Sequence, residues 1–180
     1  MERRNAWKTY TQEQLKELDQ INDRYKVCLD EGKTERECIR LTVKEIEKQG
    51  YRNLNDIKGN LKTGDKVYAV CMGKSIAMFR IGKEPLENGM NILGAHIDSP
   101  RIDVKQNPLY ENEELAYLDT HYYGGIKKYQ WVTLPLALHG VIVKTDGTVQ
   151  EVSIGEKEED PVFVVTDPVS YTHLRAHETD

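Results

Sequence analysis

No run of apolar residues in this 180-residue chain approaches the ~20 that a membrane-spanning helix needs, so no membrane role is expected. The opening residues, MERRNAWKTYTQEQ, are polar and carry no apolar core of a secretory signal, which makes the cytoplasm the expected compartment. Cysteine is scarce: Cys28, Cys38 and Cys71 are odd in number and form no C-x-x-C pair. That excludes a cysteine zinc motif or dithiol redox motif by spacing, and the thiols are expected in the core. An H-E-x-x-H helix is absent, since Leu174 follows His173, and so is a G-x-S-x-G nucleophile elbow. There is no internal repeat and no low-complexity stretch. Basic excess is lacking too: 25 Lys and Arg stand against 30 Asp and Glu, for a net charge of -5. Binding a phosphate backbone requires clustered cations that displace counterions, so nucleic acid is not an expected partner, and Lys127 and Lys128 alone do not change this.

What remains is a polar-surfaced globular chain, with 38% hydrophobic and 31% charged residues and a mean hydropathy of -0.66. The length suits one domain, or one domain and the start of a second. Thr11 and Gln14 make a capping box before Leu15, Leu18, Ile21, Tyr25, Cys28 and Leu29, whose recurrence predicts an amphipathic helix ending near Gly32. Thr34 and Glu37 repeat the signal, and Cys38, Leu41, Val43 and Ile46 carry a second helix to Gly50, a suitable left-handed stop. After a polar link over 51–65 the period becomes strand-like, predicting a hairpin of 66–72 and 75–81 through Gly73 and Lys74. Asn91 to His96 reads as a short apolar strand running into Ile97-Asp98-Ser99-Pro100. From about Val104 β structure dominates, with strands over 136–144 and 148–154 around Asp146-Gly147, an acidic loop over 156–160, and a last apolar strand over 162–165. A domain boundary is expected near Gln106. The stretch 168–180 breaks the strand pattern and resembles translated adapter sequence, so it is expected to be foreign to the fold.

The local signal with most chemistry is His96-Ile97-Asp98. Alternate side chains of an extended segment point to one side, so both can face one metal. A neutral imidazole is a good zinc ligand, and its other ring N–H is commonly held by a carboxylate that fixes the tautomer. On spacing alone the pair reads equally as a surface or core-edge pair joined by local hydrogen bonds. Ser99 beside His96 and Asp98 supplies the letters of a triad, but triad members meet in space and seldom within four residues. His173 and His177 would share one helix face. His121, beside Tyr122 and Tyr123, reads as a packed residue or a pocket-lining one. Tyr68, Tyr117, Tyr129 and Trp131 read as core and interface aromatics.

The segment Gly94-Ala95-His96-Ile97-Asp98-Ser99-Pro100 resembles the metal-binding segment of the aspartyl aminopeptidase family. Val104-Lys105 follow at the family's spacing. Thr120-His121-Tyr122-Tyr123-Gly124-Gly125 resembles its Tyr-Gly-Gly segment, and the stretches 138–144 and 163–167 resemble strands of its inserted β domain. The likeness runs from the first helix to Asp167.

That resemblance implies an α/β fold: the amino-terminal part of a mixed-sheet zinc aminopeptidase catalytic domain over 1–106, then part of a β-rich oligomerisation insert over 107–167, with 168–180 as a non-native tail. It implies two zinc ions in the complete enzyme, peptide substrates and a homo-oligomer. His96 matches a zinc-ligand position, and Asp98 matches the catalytic-site carboxylate that orients this ligand. The family's other ligands and general base fall beyond this chain, so the fragment is expected to be inactive alone. The insert of the family places a histidine close to where His173 stands, but the flanks differ and the role does not transfer. A different class of reading is a non-catalytic oligomerisation or regulatory β module in which His96 is incidental; zinc content separates the two. A hydrolase using Ser99 is a third, which a serine-directed reagent would label.

Overall fold

A computed structural model describes residues 5–132 and 134–166. The described residues form two compact units that divide between Asp98 and Ser99. Together they make a mixed α/β arrangement with small sheets, the α-helices lying in the first unit.

The first unit opens with α1, Gln12–Glu31, and α2, Glu35–Lys48. Both start on the expected capping boxes: the Thr11 and Thr34 side chains accept from the N–H groups of Gln14 and Glu37, whose side chains accept back from the cap N–H. α2 stops at Gly50, whose φ of +85° suits a residue without a β-carbon. A short β1, Arg52–Asn53, lies parallel to β2, Lys66–Cys71, and β2 pairs antiparallel with β3, Ser75–Arg80. The three-residue loop between them has positive φ at Met72 and Gly73 and is closed by the Lys74 N–H donating to the Cys71 carbonyl at 3.0 Å.

The fully buried hydrophobics among the described residues are Ile39 and Ile46 of α2 and Val67 and Tyr68 of β2. The core is therefore α2 laid on the sheet. Tyr68 crosses between them, its hydroxyl donating to Glu47 Oε1 at 2.6 Å. Lys66 Nζ donates to the Gln49 carbonyl at 2.9 Å, and Arg36 Nη1 donates to the Met72 carbonyl at 2.9 Å.

α1 buries none of its residues. Its apolar stripe formed where the spacing predicts, but Ile21, Tyr25 and Leu29 stand 50%, 59% and 52% exposed. The expectation of core thiols fails for the same reason: Cys28 and Cys71 are exposed and only Cys38 is partly covered. Scarce cysteine away from motifs argues for burial only where there is a core to enter, and neither α1 nor the end of β2 has one here.

The expected strand over 91–96 is also corrected. Residues 89–100 carry no helix or strand, and Ile92 and Leu93 are 79% and 100% exposed. An apolar run becomes a strand only when a neighbour satisfies its backbone, and none does so here.

In the second unit β4, Arg101–Asn112, pairs antiparallel with β5, Leu115–Tyr123. Gln106 thus lies inside a strand, not at the division between units. The hairpin turns through Glu113 and Glu114, with φ of 53° and 63°. Its register shifts between Val104 and Leu109, where Lys105 to Pro108 face Asp119 alone. Pro108 offers no N–H to the ladder, and Lys105 Nζ closes the gap by an ion pair to Asp119 at 2.9 Å. β6, Leu138–Val143, and β7, Val149–Ile154, form the hairpin expected around Asp146-Gly147. The Asp146 carboxylate accepts from the Thr148 N–H at 2.8 Å, a bond that holds its pKa below the usual carboxylate range. The strand expected over 162–165 is reduced to one antiparallel bridge, Leu136 to Phe163. Leu109, Leu115, Val143, Val149, Val162 and Val164 are all exposed.

Two predictions follow from this packing. Tyr68→Phe should lower unfolding stability in urea by about 0.5–1.5 kcal/mol at neutral pH. The Glu47 bond, then burial, raises the Tyr68 pKa above its ordinary value near 10. The wild-type contribution is thus complete below the unfolded-state pKa and is lost as pH rises through the folded one; Tyr68→Phe should remove that alkaline decline. In the β4–β5 turn, Glu113→Asn with Glu114→Gly relieves two left-handed residues and should stabilise by about 0.5–1 kcal/mol.

Candidate metal centre

His96 and Asp98 lie on the irregular stretch, without helix or strand, that closes the first unit. Their side chains meet. His96 Nδ1 is 3.2 Å from Asp98 Oδ1 and 3.0 Å from the Asp98 carbonyl oxygen. Both neighbours are acceptors when the carboxyl is ionised, so the proton of a neutral imidazole belongs on Nδ1. That leaves Nε2 with its lone pair directed away from the bond, the tautomer that a metal ligand needs. The imidazole is 84% exposed and Asp98 38% exposed, so Nε2 is open to solvent. No apolar packing confines the ring. The arrangement is local, joining residues two apart in the chain, and Gly94 just before them has open space where a β-carbon would be.

Among the described residues no group of three or more His, Cys, Asp and Glu side chains could hold a metal ion. The donor set present is therefore one imidazole and its orienting carboxylate. This fits a single ligand position of a zinc site and is insufficient for a closed one, which takes about four donors. Ser99 is exposed and opens the second unit. His173 and His177 lie outside the described residues.

Two further histidines have carboxylate neighbours in the second unit. His121 of β5 stands across from Asp103 of β4, with Nε2 4.0 Å from Oδ2, too long for a hydrogen bond. Asp103 is instead engaged by Arg101 Nε at 2.7 Å, and the Arg101 guanidinium lies over the Tyr123 ring at 4.3 Å. His139 of β6 is largely buried and its Nε2 lies 2.8 Å from Glu156 Oε1. These pairings escaped the sequence reading because they depend on strand register. The β4–β5 turn is Glu-Glu, without the Asn-Gly or Gly that announces a hairpin.

Solved structures of aminopeptidases share this architecture. The crystal structure of aminopeptidase I from Borrelia burgdorferi B31 matches with a TM-score of 0.85 at 41% identity, covering 92% of this chain and 41% of that one. That of aminopeptidase I from Clostridium acetobutylicum matches with a TM-score of 0.81 at 57% identity, covering 99% of this chain and 40% of that one. Residues 28–178 match the family described as Aminopeptidase I zinc metalloprotease (M18), and the chain belongs to that family. The match runs past Asp167 into the stretch expected to be foreign. A curated relative, the probable M18 family aminopeptidase 1 of Clostridium acetobutylicum, is 62% identical over 169 residues. Those residues are 92% of this chain and 36% of the relative, so the chain spans little more than a third of that protein's length. No helix among the described residues is long and apolar enough to cross a membrane.

The tautomer can be read directly. Long-range 15N–1H spectra of the chain at alkaline pH should show His96 Nδ1 protonated and Nε2 bare. Asp98→Ala should move the ring toward the Nε2–H form; a ring that is Nε2–H in the wild type would exclude the arrangement as a prepared ligand.

Proposed function

We propose that this chain is the amino-terminal part of a zinc aminopeptidase that removes amino-terminal residues from peptides. The observation that carries the reading is the His96–Asp98 pair, which presents a bare Nε2 within a chain of M18 sequence. His96 is the zinc ligand in this reading, and Asp98 holds its Nδ1–H, fixing the ring's rotation and tautomer. The chemistry that zinc supplies when bound is Lewis acidity, which polarises a scissile carbonyl and brings the pKa of water from roughly 15.7 to about 7. Two ions are proposed for the complete enzyme.

One imidazole holds zinc weakly. The other ligands and the general base belong to sequence outside this chain, and the 180 residues alone should have no useful peptidase activity. The first unit then belongs to the catalytic domain and most of the second to an inserted β-rich domain, with the chain passing between them over Asp98 to Gln106. The exposed apolar residues of the second unit support a homo-oligomer, since patches of this kind on a β domain mark protein contacts. The cytoplasm is the proposed compartment.

The test uses the complete reading frame. The enzyme should release amino-terminal residues only with zinc supplied. His96→Ala should abolish release, and Asp98→Asn should reduce zinc affinity or activity about 10–100-fold. Full activity of His96→Ala would overturn the ligand assignment, and a zinc-replete enzyme without aminopeptidase activity would overturn the function.

A further inference from the structure

Two thiols flank the turn between α1 and α2, well before His96 in the sequence. Cys28 stands in the last turn of α1 and is exposed; Cys38 stands in the first turn of α2 and is partly covered. α1 closes on Gly32, whose N–H donates to the Cys28 carbonyl at 3.0 Å. The Cys38 sulfur lies 3.5 Å from the Gly32 carbonyl oxygen, to which its S–H is a weak donor. Sulfur and peptide crowd the same side of Gly32. A β-carbon there would stand 2.7 Å from the Cys28 carbonyl oxygen and 2.9 Å from Cys38 Sγ. The φ of Gly32 is -105°, open to any residue, so glycine serves the close approach and not a left-handed turn. The interhelical turn thus places the Cys28 carbonyl and the Cys38 sulfur on the same side of Gly32.

We propose that Cys28 and Cys38 form a dithiol that reacts with low-molecular-weight disulfides and closes into an intrachain disulfide joining α1 to α2. The exposed Cys28 reacts first: its thiolate attacks one sulfur of the small disulfide, forming a mixed disulfide and releasing one thiolate. The Cys38 thiolate then attacks the Cys28 sulfur, breaks the mixed bond and releases the second. The chain gives up two electrons and two protons, and the small disulfide leaves as two thiols.

Burial raises the Cys38 pKa, and the charges of Glu37 and Glu35 raise it further, which makes the closing attack the slower step. Closure brings the two β-carbons to about 3.5–4.5 Å. The last turn of α1, in which no residue is buried, shifts to allow it. In a reducing compartment such a bond is transient and reports the thiol poise, in keeping with how intracellular disulfides are used.

The purified chain, equilibrated with oxidised glutathione at mildly alkaline pH and then alkylated, should yield a Cys28–Cys38 linked peptide in a non-reducing digest, reversible by dithiothreitol. Cys28→Ser and Cys38→Ser should each remove the link, and Cys38→Ser should stop at the glutathione adduct on Cys28. Cys71, on the β2–β3 hairpin, is the internal reference for a thiol that forms only an adduct. The proposal is overturned if wild-type Cys28 retains glutathione while Cys38 is alkylated, or if Cys28 links only to Cys71 or to a second chain.

Discussion

The packing of α2 on β2 is the contact on which the first unit depends. Ile39 and Ile46 from the helix and Val67 and Tyr68 from the strand are the side chains that leave water almost completely. Full burial of side chains of this size contributes roughly 1.5–3 kcal/mol each, before the entropy of ordering them is counted. Tyr68 can be buried because its hydroxyl has Glu47 as a partner, so the polar end costs little to desolvate. Around this nucleus Lys66 and Arg36 reach backbone carbonyls, tying the end of α2 to the start of β2 and its first turn to the β2–β3 turn. Charge-assisted bonds of this kind fix orientation more than they add stability.

The second unit lacks such a nucleus among its described residues and is held by its ladders. Its order comes from turns and from side chains that close irregularities: Asp146 at the β6–β7 turn, Lys105 and Asp119 at the bulge, and Asp160 receiving the Gly155 and Lys157 N–H groups. Those N–H bonds, that from Gly155 foremost, keep the Asp160 carboxyl ionised below the usual range. This architecture satisfies its backbone through its ladders while leaving Leu109, Val143 and Val162 in water.

Legibility in the sequence followed the range of each signal. Both capping boxes, the Gly50 stop and the hairpins at Gly73 and Asp146-Gly147 are written within a few residues, and each formed as expected. The His96–Asp98 contact is equally local, joining residues two apart. What failed depended on distant partners. Asn91 to His96 has the composition of a strand but no neighbour, and Cys28 and Cys71 have the composition of core residues without a core over them. The β4–β5 hairpin was hidden because Glu113 and Glu114 hold φ values that their side chains do not favour, so tertiary context and not turn chemistry sets that register.

The strand topology has a kinetic side. The pairings β2–β3, β4–β5 and β6–β7 join neighbours in sequence, and the parallel pair β1–β2 spans only a short link. Closing loops of this length takes little time, with hairpins forming in about 1–10 μs. A ribosome adds about 5–20 residues per second, so each hairpin can finish before the next strand has emerged. The Asn91 to Pro100 stretch is the exception: it joins no strand among the described residues, and its Ile92 and Leu93 stand in water. An exposed apolar segment of this kind is the part of the nascent chain most open to chaperones, proteases and mispairing.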